Sequence, residues 1–470
     1  MRKFYWYITA YIKKHGLTFV LSAIGAILIF SLIMPYLAKK ISIKPRKYIG
    51  MVGDYNLQTL PDEIKYKLSV GLTTVDPENH SIKPLLAERW VTENDGKTYR
   101  FTIKKDIKWQ DGEELTPDDI NYNFRDVETI TTPNDIIFRL PDTFAPFPAI
   151  VTEPIFKQTL ERHLTFFKKP NLIGIGPYKI DSYQIKSNRL RQISLEGPED
   201  YLIYRFYLTE DDAIIGFKKG EVDLLLDVKN LGELINWPDK NLVIEEKINF
   251  NQYLAIFFNH NDQLLSRNVK QALAYATQKP SNDIKATSPI DPRSWAYLEG
   301  AKEYAKDMER AIERLLSSPP EQPLELTLTT TSIYIQKAND IKQEWEELGQ
   351  LALEECQASD DIEDKNLCPN MKISINLKVT NFPDLQDFQL LLIGQEIPTD
   401  PDQYFLWHSE QATNFSNYQN TRIDSLLETG RQTLDQNERQ AIYQEFQQFL
   451  LEDPPAIFLE HLTSYDIRRI

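Results

Sequence analysis

The run of uncharged residues at 17–38, LTFVLSAIGAILIFSLIMPYLA, constrains this chain more than any other stretch. As a helix it would rise about 33 Å, enough for a hydrocarbon core of ~30 Å. A signal peptide is the competing reading, but the run is longer than a usual signal core and no A-x-A site follows it. Tyr36 and Lys39–Lys40 bound it as interface residues do. No cysteine lies nearby to carry a lipid. The expectation is therefore a retained transmembrane anchor, with residues 1–16 on the cytoplasmic side. Basic residues flank the run on both sides (Arg2, Lys3, Lys13 and Lys14 before; Lys39, Lys40, Lys44, Arg46 and Lys47 after), so the positive-inside rule does not decide orientation. No second such run occurs, so this chain is not itself a transport channel.

The remainder must fold around a water-excluding core of its own. Hydrophobic residues make up 41% of the chain and charged residues 26%, which sets it apart from a disordered polymer. The net charge of −16 argues against nucleic acid as a partner, because phosphate binding needs a lysine and arginine surplus. Twenty-three Tyr and seven Trp suit either core or a pocket that accepts varied apolar groups. The six His and five Met form no metal-ligand pattern, and no H-E-x-x-H, G-x-S-x-G or Walker-type loop occurs. Neither a cofactor nor enzymatic activity is expected. Cys356 and Cys368 flank an acidic stretch. Either a disulfide closing a surface loop or two free thiols fits that spacing.

Periodicity divides the soluble part into short strands and helices. LLAERWVTENDGKTYRFTIKKDIKW at 85–109 reads as a hairpin about Asp95–Gly96. Thr116, Pro117 and Asp118–Asp119 read as a helix start, with the helix running to about Phe124. Strands are expected near 177–184, 190–195, 201–208, 222–226, 254–258, 324–330, 371–379, 388–393 and 456–459. Helices are expected over 209–220, 267–277, 299–316, 333–351 and, as a pair broken near Asp435, 421–450. This is a mixed α/β order without an internal repeat.

Several of these segments carry a resemblance. LLAERWVTENDGKTYRFTIKKDIKWQDGEELTPDDINYNF is similar to the opening pattern of the family 5 extracellular solute-binding proteins, the dipeptide/oligopeptide-binding components of ABC importers, with Gln110 where that family customarily has His. GIGPYKI at 174–180, GFKKGEVDLL at 216–225, FFNHNDQLLSRNVKQALAYATQ at 257–278, FQLLLIGQEIPTDPDQYFLW at 388–407 and the segment 414–460 resemble further family stretches, in the same order. The resemblance spans about 60–460.

It implies a periplasmic-binding-protein-like class II fold: two lobes with a ligand cleft, here preceded by one N-terminal transmembrane helix. The first lobe would comprise 48–70, 171–255 and 451–470, with a shortened subdomain at 71–170; the second lobe would be 256–450. The implied partners are an oligopeptide, an ABC permease with its ATPase subunits, and the lipid bilayer through 17–38. The implied location is a single-pass protein of the cell membrane with its soluble part outside. A glycan or nickel complex is the alternative ligand, and a tethered sensor or structural protein the alternative role. Asp400, Asp402 and Glu396 are candidates to pair a peptide amine; each also reads as a turn residue around Pro401. Tyr404 and Trp407 are candidate pocket walls or core, and Asn259 a cleft or loop residue. No basic partner for a peptide carboxylate is placed.

Overall fold

The computed structural model describes residues 44–470 apart from 163–167, 233, 235–241, 281–282, 359–364 and 470, together with 6, 13–16, 18, 21–22, 24–27 and 29–30. The expected transmembrane helix is corrected. A span needs about 20 consecutive helical residues. Within 17–38 the described helical residues are 18, 21–22, 24–27 and 29–30, and the rest of the run lies outside the described residues. Among the described residues no helix is long and apolar enough to cross a membrane. The bilayer contact through 17–38 and the single-pass membrane location rested on that helix and are corrected with it.

One ten-stranded mixed sheet runs through the molecule. Its order is Lys179–Lys186, Arg189–Glu196, Tyr201–Tyr207, Arg46–Val52, Leu224–Val228, Ala456–Arg469, Leu242–Phe258, Leu390–Glu396, Leu324–Thr330, Ile373–Val379. In the first half, Leu202, Tyr204 and Phe206 alternate along their strand and pack on Ile64 and Leu68 of the helix Asp62–Leu68. A second cluster joins Leu225 and Val228 to Ala213, Ile214 and Phe217 of the helix Glu210–Lys218, which starts at a Thr209 side-chain cap.

The second half is covered by helices on both faces. Arg267–Ala276, Met308–Ser317 and Ile335–Ala358 pack around Trp345 and the apolar strands. Thr421–Gln432 and Gln436–Glu452 pack around Trp407, Tyr418 and Tyr443 on the other side. Cys356 and Cys368 form a disulfide at the end of the Ile335–Ala358 helix.

The two halves share two long antiparallel strands, Leu242–Phe258 and Ala456–Arg469. Their ladder pairs Asn249 with Leu462, then resumes with Tyr253 opposite His461. Phe250, Asn251 and Gln252 bulge out where the first-half core gives way to the second. A bulge breaks ladder hydrogen bonds and bends a strand. The crossing is therefore a place where the sheet can bend, at the junction of its two cores.

A separate four-stranded sheet, ordered Ala87–Glu93, Thr98–Ile103, Asp135–Arg139, Glu128–Thr131, has its own core around Phe101, Phe138 and Phe147. The hairpin over 85–109 is present, and Asn94, Asp95 and Gly96 all take positive φ in its turn. The helix expected from Thr116 to Phe124 is not formed. Thr116 and Asp119 make a capping box on a single 3-10 turn, Pro117–Asp119, then Ile120 is extended and Asn123 takes a φ of 55°. The helix expected over 299–316 begins only at Met308, because the Asp307 side chain accepts from Arg310 N and sets the start there.

Candidate functional site

The four-stranded sheet's unit and the second lobe meet at a joint that leaves two cavities. Ala145 N donates directly to Arg431 O across it, at 2.7 Å. The larger cavity, about 740 Å³, has Leu140 and Phe144 on one side and Tyr404, Glu428 and Arg431 on the other. The smaller, about 170 Å³, has Trp90 and Tyr99 facing Trp295, Asp400 and Arg439. The larger volume falls within the roughly 300–1,000 Å³ of small-molecule sites.

Local structure presents these side chains from both sides. Phe144 sits beyond the hairpin turn, where its N–H donates to Gly96 O and its carbonyl accepts from Tyr99 Oη at 3.0 Å. Thr143 Oγ1 donates to Asp95 O at 2.7 Å. On the second lobe Asn420 caps the helix that ends near Arg431, and Asp435 caps the next, which carries Arg439 in its first turn. Gly430 lets the two helices approach closely: a Cβ there would lie 2.8 Å from the Tyr443 ring.

The segment between Ile397 and Tyr404 is held by its own carboxylates. Asp402 N donates to Asp400 Oδ1 at 3.1 Å, and Tyr404 N to Asp402 Oδ1 at 3.1 Å. Each carboxylate also meets an arginine. Arg439 Nη1 and Nη2 reach Asp400 at 3.0 and 2.6 Å, while its Nε donates to Gly430 O at 2.9 Å. Burial penalises the Arg439 charge, but Asp400 outweighs that penalty and holds the guanidinium above its ordinary range. Arg431 gives Asp402 one bond, from Nε at 2.8 Å. Burial pushes the Asp402 carboxyl up, and Arg431 only partly offsets it. Burial likewise pushes the Tyr99 hydroxyl up to about 12.

Of the residues singled out in the sequence, Asp400, Asp402 and Tyr404 stand together at this joint. Of the six, only Asp400 and Tyr404 line the two cavities. Trp407 is fully buried in the second lobe, stacked 5.9 Å from Phe257. Glu396 is exposed at the end of its strand, with Gln252 Nε2 3.4 Å away. Asn259 organises loops: its Nδ2 donates to Phe388 O at 2.7 Å, and its Oδ1 accepts from Asn261 N and Asn417 Nδ2. Sequence reasoning missed Arg431, Arg439 and Phe144. The only available signal for the arginines was their position on either side of the Asp435 helix start.

Another cavity, about 280 Å³, lies on the second lobe near Tyr304. Two of its lysines are already paired, Lys285 with Glu303 and Lys306 with Glu344. Among the described residues no group of three His, Cys, Asp or Glu side chains is placed to hold a metal ion.

Residues 81–349, more than half of the chain, match the bacterial extracellular solute-binding proteins, family 5 Middle. The chain is 22% identical to the dipeptide-binding protein of Escherichia coli over 457 residues, covering 82% of this chain and 81% of that protein. Its structure resembles that of the oligopeptide-binding protein AppA from Bacillus subtilis in complex with a nonapeptide, with a TM-score of 0.62, 19% identity, and coverage of 91% and 95%. It also resembles the ABC transporter substrate-binding protein CtaP from Listeria monocytogenes, with a TM-score of 0.71, 21% identity, and coverage of 91% and 94%. These similarities establish the two-lobed fold.

Proposed function

The chain belongs to the family 5 bacterial extracellular solute-binding proteins, and on that premise we propose that it captures oligopeptides and delivers them to an ABC importer. It is a binding protein rather than an enzyme. One observation carries the peptide reading: the larger cavity combines aromatic side chains with charges of both signs. Phe144 and Tyr404 offer apolar faces, Arg431 a guanidinium, and Asp126, Asp142 and Glu428 carboxylates. A short peptide presents that same mixture, with opposite charges at its ends and varied side chains between. The names borne by the dipeptide- and nonapeptide-binding relatives support the same ligand class.

Delivery requires that the loaded protein look different from the empty one. The sheet crossing at Phe250–Gln252 supplies a place to bend, and the bond from Ala145 to Arg431 is a contact across the joint that such bending would make or break. Ligand bridging both sides of the cavity would bind the closed form better, shifting the population toward it. An importer's permease can then select the closed shape.

Native purification followed by mass spectrometry of the bound ligand tests this reading. A mixture of short peptides of varied sequence is expected. A single sugar or a nickel chelate as the bound species would overturn it.

A further inference from the structure

The cavity near Tyr304, about 280 Å³, shares no lining residue with the two at the joint. Four lysines line it, Lys279, Lys285, Lys302 and Lys306, against one carboxylate, Glu303. Glu303 is bonded to Lys285 at 2.7 Å, and Glu344 answers Lys306 from beyond the lining at 2.8 Å. Lys279 and Lys302 are left over. Among the described residues neither ammonium makes an ion pair or a hydrogen bond; both face the Tyr304 ring instead, 5.7 and 4.7 Å from its centroid. That ring is fixed in place. Its Oη donates to Leu451 O at 2.8 Å, and Tyr275 packs edge-on against it at 4.8 Å. An aromatic face attracts a cation without neutralising it.

The surroundings deepen the charge imbalance. Burial pushes Lys279 down to about 8, and Glu303, already engaged by Lys285, only partly opposes this. Burial also lowers Lys302, with Arg314 and Arg267 adding to the effect and Glu452 opposing it. A partly buried charge without a partner is costly, so two of them beside one cavity call for an anion. The same lining includes Leu451, Ile457 and Phe458, which offer that anion an apolar contact.

We propose that this cavity binds a small phosphate monoester, with its head between Lys279 and Lys302 and its carbon portion against Leu451, Ile457 and Phe458. A phosphate monoester carries close to two negative charges near neutrality, matching the two unanswered ammonium groups. Lysine meets a tetrahedral phosphate as a point charge and needs no planar fork. The volume lies just below the roughly 300–1,000 Å³ of drug-sized sites, which keeps the carbon portion small. The site is separate from the proposed peptide cavity and does not depend on the peptide reading.

The test is calorimetry and thermal unfolding of the full chain with phenyl phosphate, in phosphate-free buffer at constant ionic strength. Lys279→Gln and Lys302→Gln should each weaken binding by roughly ten- to a hundredfold, the range of a charged hydrogen-bonded contact. Lys378→Gln removes the same charge from an exposed position of the second lobe and should leave binding unchanged. Inorganic phosphate, which leaves the apolar lining empty, should bind about tenfold more weakly than phenyl phosphate. Without ligand, Lys279→Gln should melt at or above the wild type, because it removes an uncompensated charge; with phenyl phosphate it should melt below it. Four results would overturn the proposal. Phenyl phosphate does not bind the wild type, or binds both lysine variants equally well. Lys378→Gln weakens binding as much as they do, which would mark a general charge effect. Inorganic phosphate binds as tightly as the ester. Lys279→Gln melts well below the wild type without ligand, which would mark the lysine as structural.

Discussion

Two arginine–aspartate pairs stand side by side at the joint, built from the same parts and put to different use. Asp400 and Asp402 are two residues apart, and Arg431 and Arg439 sit on consecutive helices. Each guanidinium lies beside two aromatic rings: Trp295 and Tyr443 for Arg439, Tyr404 and Phe144 for Arg431. Arg439 is 6% exposed and uses all three nitrogens, with Asp400, Gly430 O and Tyr443 Oη as acceptors. Arg431 is 29% exposed and uses one. A buried charge must be fully paired to be tolerated. The saturated pair thus belongs to the scaffold, whereas the unsaturated pair retains donors that a ligand can complete.

Breaking the saturated pair should have the largest effect. Arg439→Met leaves Asp400 without its main partner, and the expected loss of stability is about 3–5 kcal/mol in chemical denaturation. Removing both charges, as Asp400→Asn with Arg439→Met, should recover much of that loss, because the penalty comes from the stranded carboxylate. A single Arg439→Met variant within ~1 kcal/mol of wild type would contradict the division drawn between the pairs.

The same rule predicts a pH effect at His260, which among the described residues has no carboxylate in contact. Lys270 Nζ lies 3.4 Å from its Nδ1 and is itself paired with Asp453, and the Tyr418 ring stands edge-on at 5.0 Å. Burial, helped by the Lys270 charge, pushes His260 down to about 4. Its value in the unfolded chain is about 6.5. Between those values the unfolded chain binds the extra proton, so stability rises with pH through this window and is lost as pH falls toward 4. The contribution is on the order of 2–3 kcal/mol. Urea unfolding at pH 7 and pH 4.5 should show a smaller difference for His260→Gln than for wild type; an unchanged difference would place the pH sensitivity elsewhere.

Much of the architecture was legible in local patterns, because alternation and caps report on what a residue's neighbours demand. The hairpin about Asp95–Gly96 and the helix break at Asp435 are formed where those residues read. The two long crossing strands were seen only in part. Leu254–Phe258 is continuously apolar, but Glu245, Glu246, Lys247 and Asn249 in the same strand carry no apolar alternation and fall within no expected element. They belong to it because Ala456–Arg469 supplies backbone partners, a long-range effect with no local signature. The helix start at Thr116 was recognised without its rapid termination, which depends on the extended Ile120 and the left-handed Asn123. At the site, the D-P-D segment stood out while its arginines did not. Whether a carboxylate is free depends on the folded distance to a residue 29 or 39 positions away, and chain spacing does not encode that distance.

A smaller loss is expected at Asp402. Asp402→Asn keeps an oxygen for Tyr404 N but removes the charge facing Arg431, so the cost should be about 1–2 kcal/mol, below that of Arg439→Met. The substitution also relieves Arg431 of its nearest counter-charge, so binding of anionic ligands at the joint should tighten while stability falls. Opposite signs in the two measurements would separate this pair from a purely structural one; a parallel fall in both would merge them.

The smallest effect on folding is expected at Arg431 itself. Its guanidinium is 29% exposed while Asp402 is buried, and a glutamine keeps a donor for that carboxylate, so the substitution weakens one hydrogen bond worth about 1 kcal/mol. Arg431→Gln should therefore unfold within about 1 kcal/mol of wild type. A stability loss as large as that of Arg439→Met would mean that the guanidinium wedges the joint together through Tyr404 and Phe144, and that its unused nitrogens are incidental. Near-neutral folding with weakened peptide binding would mean that the joint is held by other contacts, including the backbone bond from Ala145 to the Arg431 carbonyl, which a side-chain substitution leaves in place. That outcome would make the arginine a residue the fold can spare and the ligand cannot.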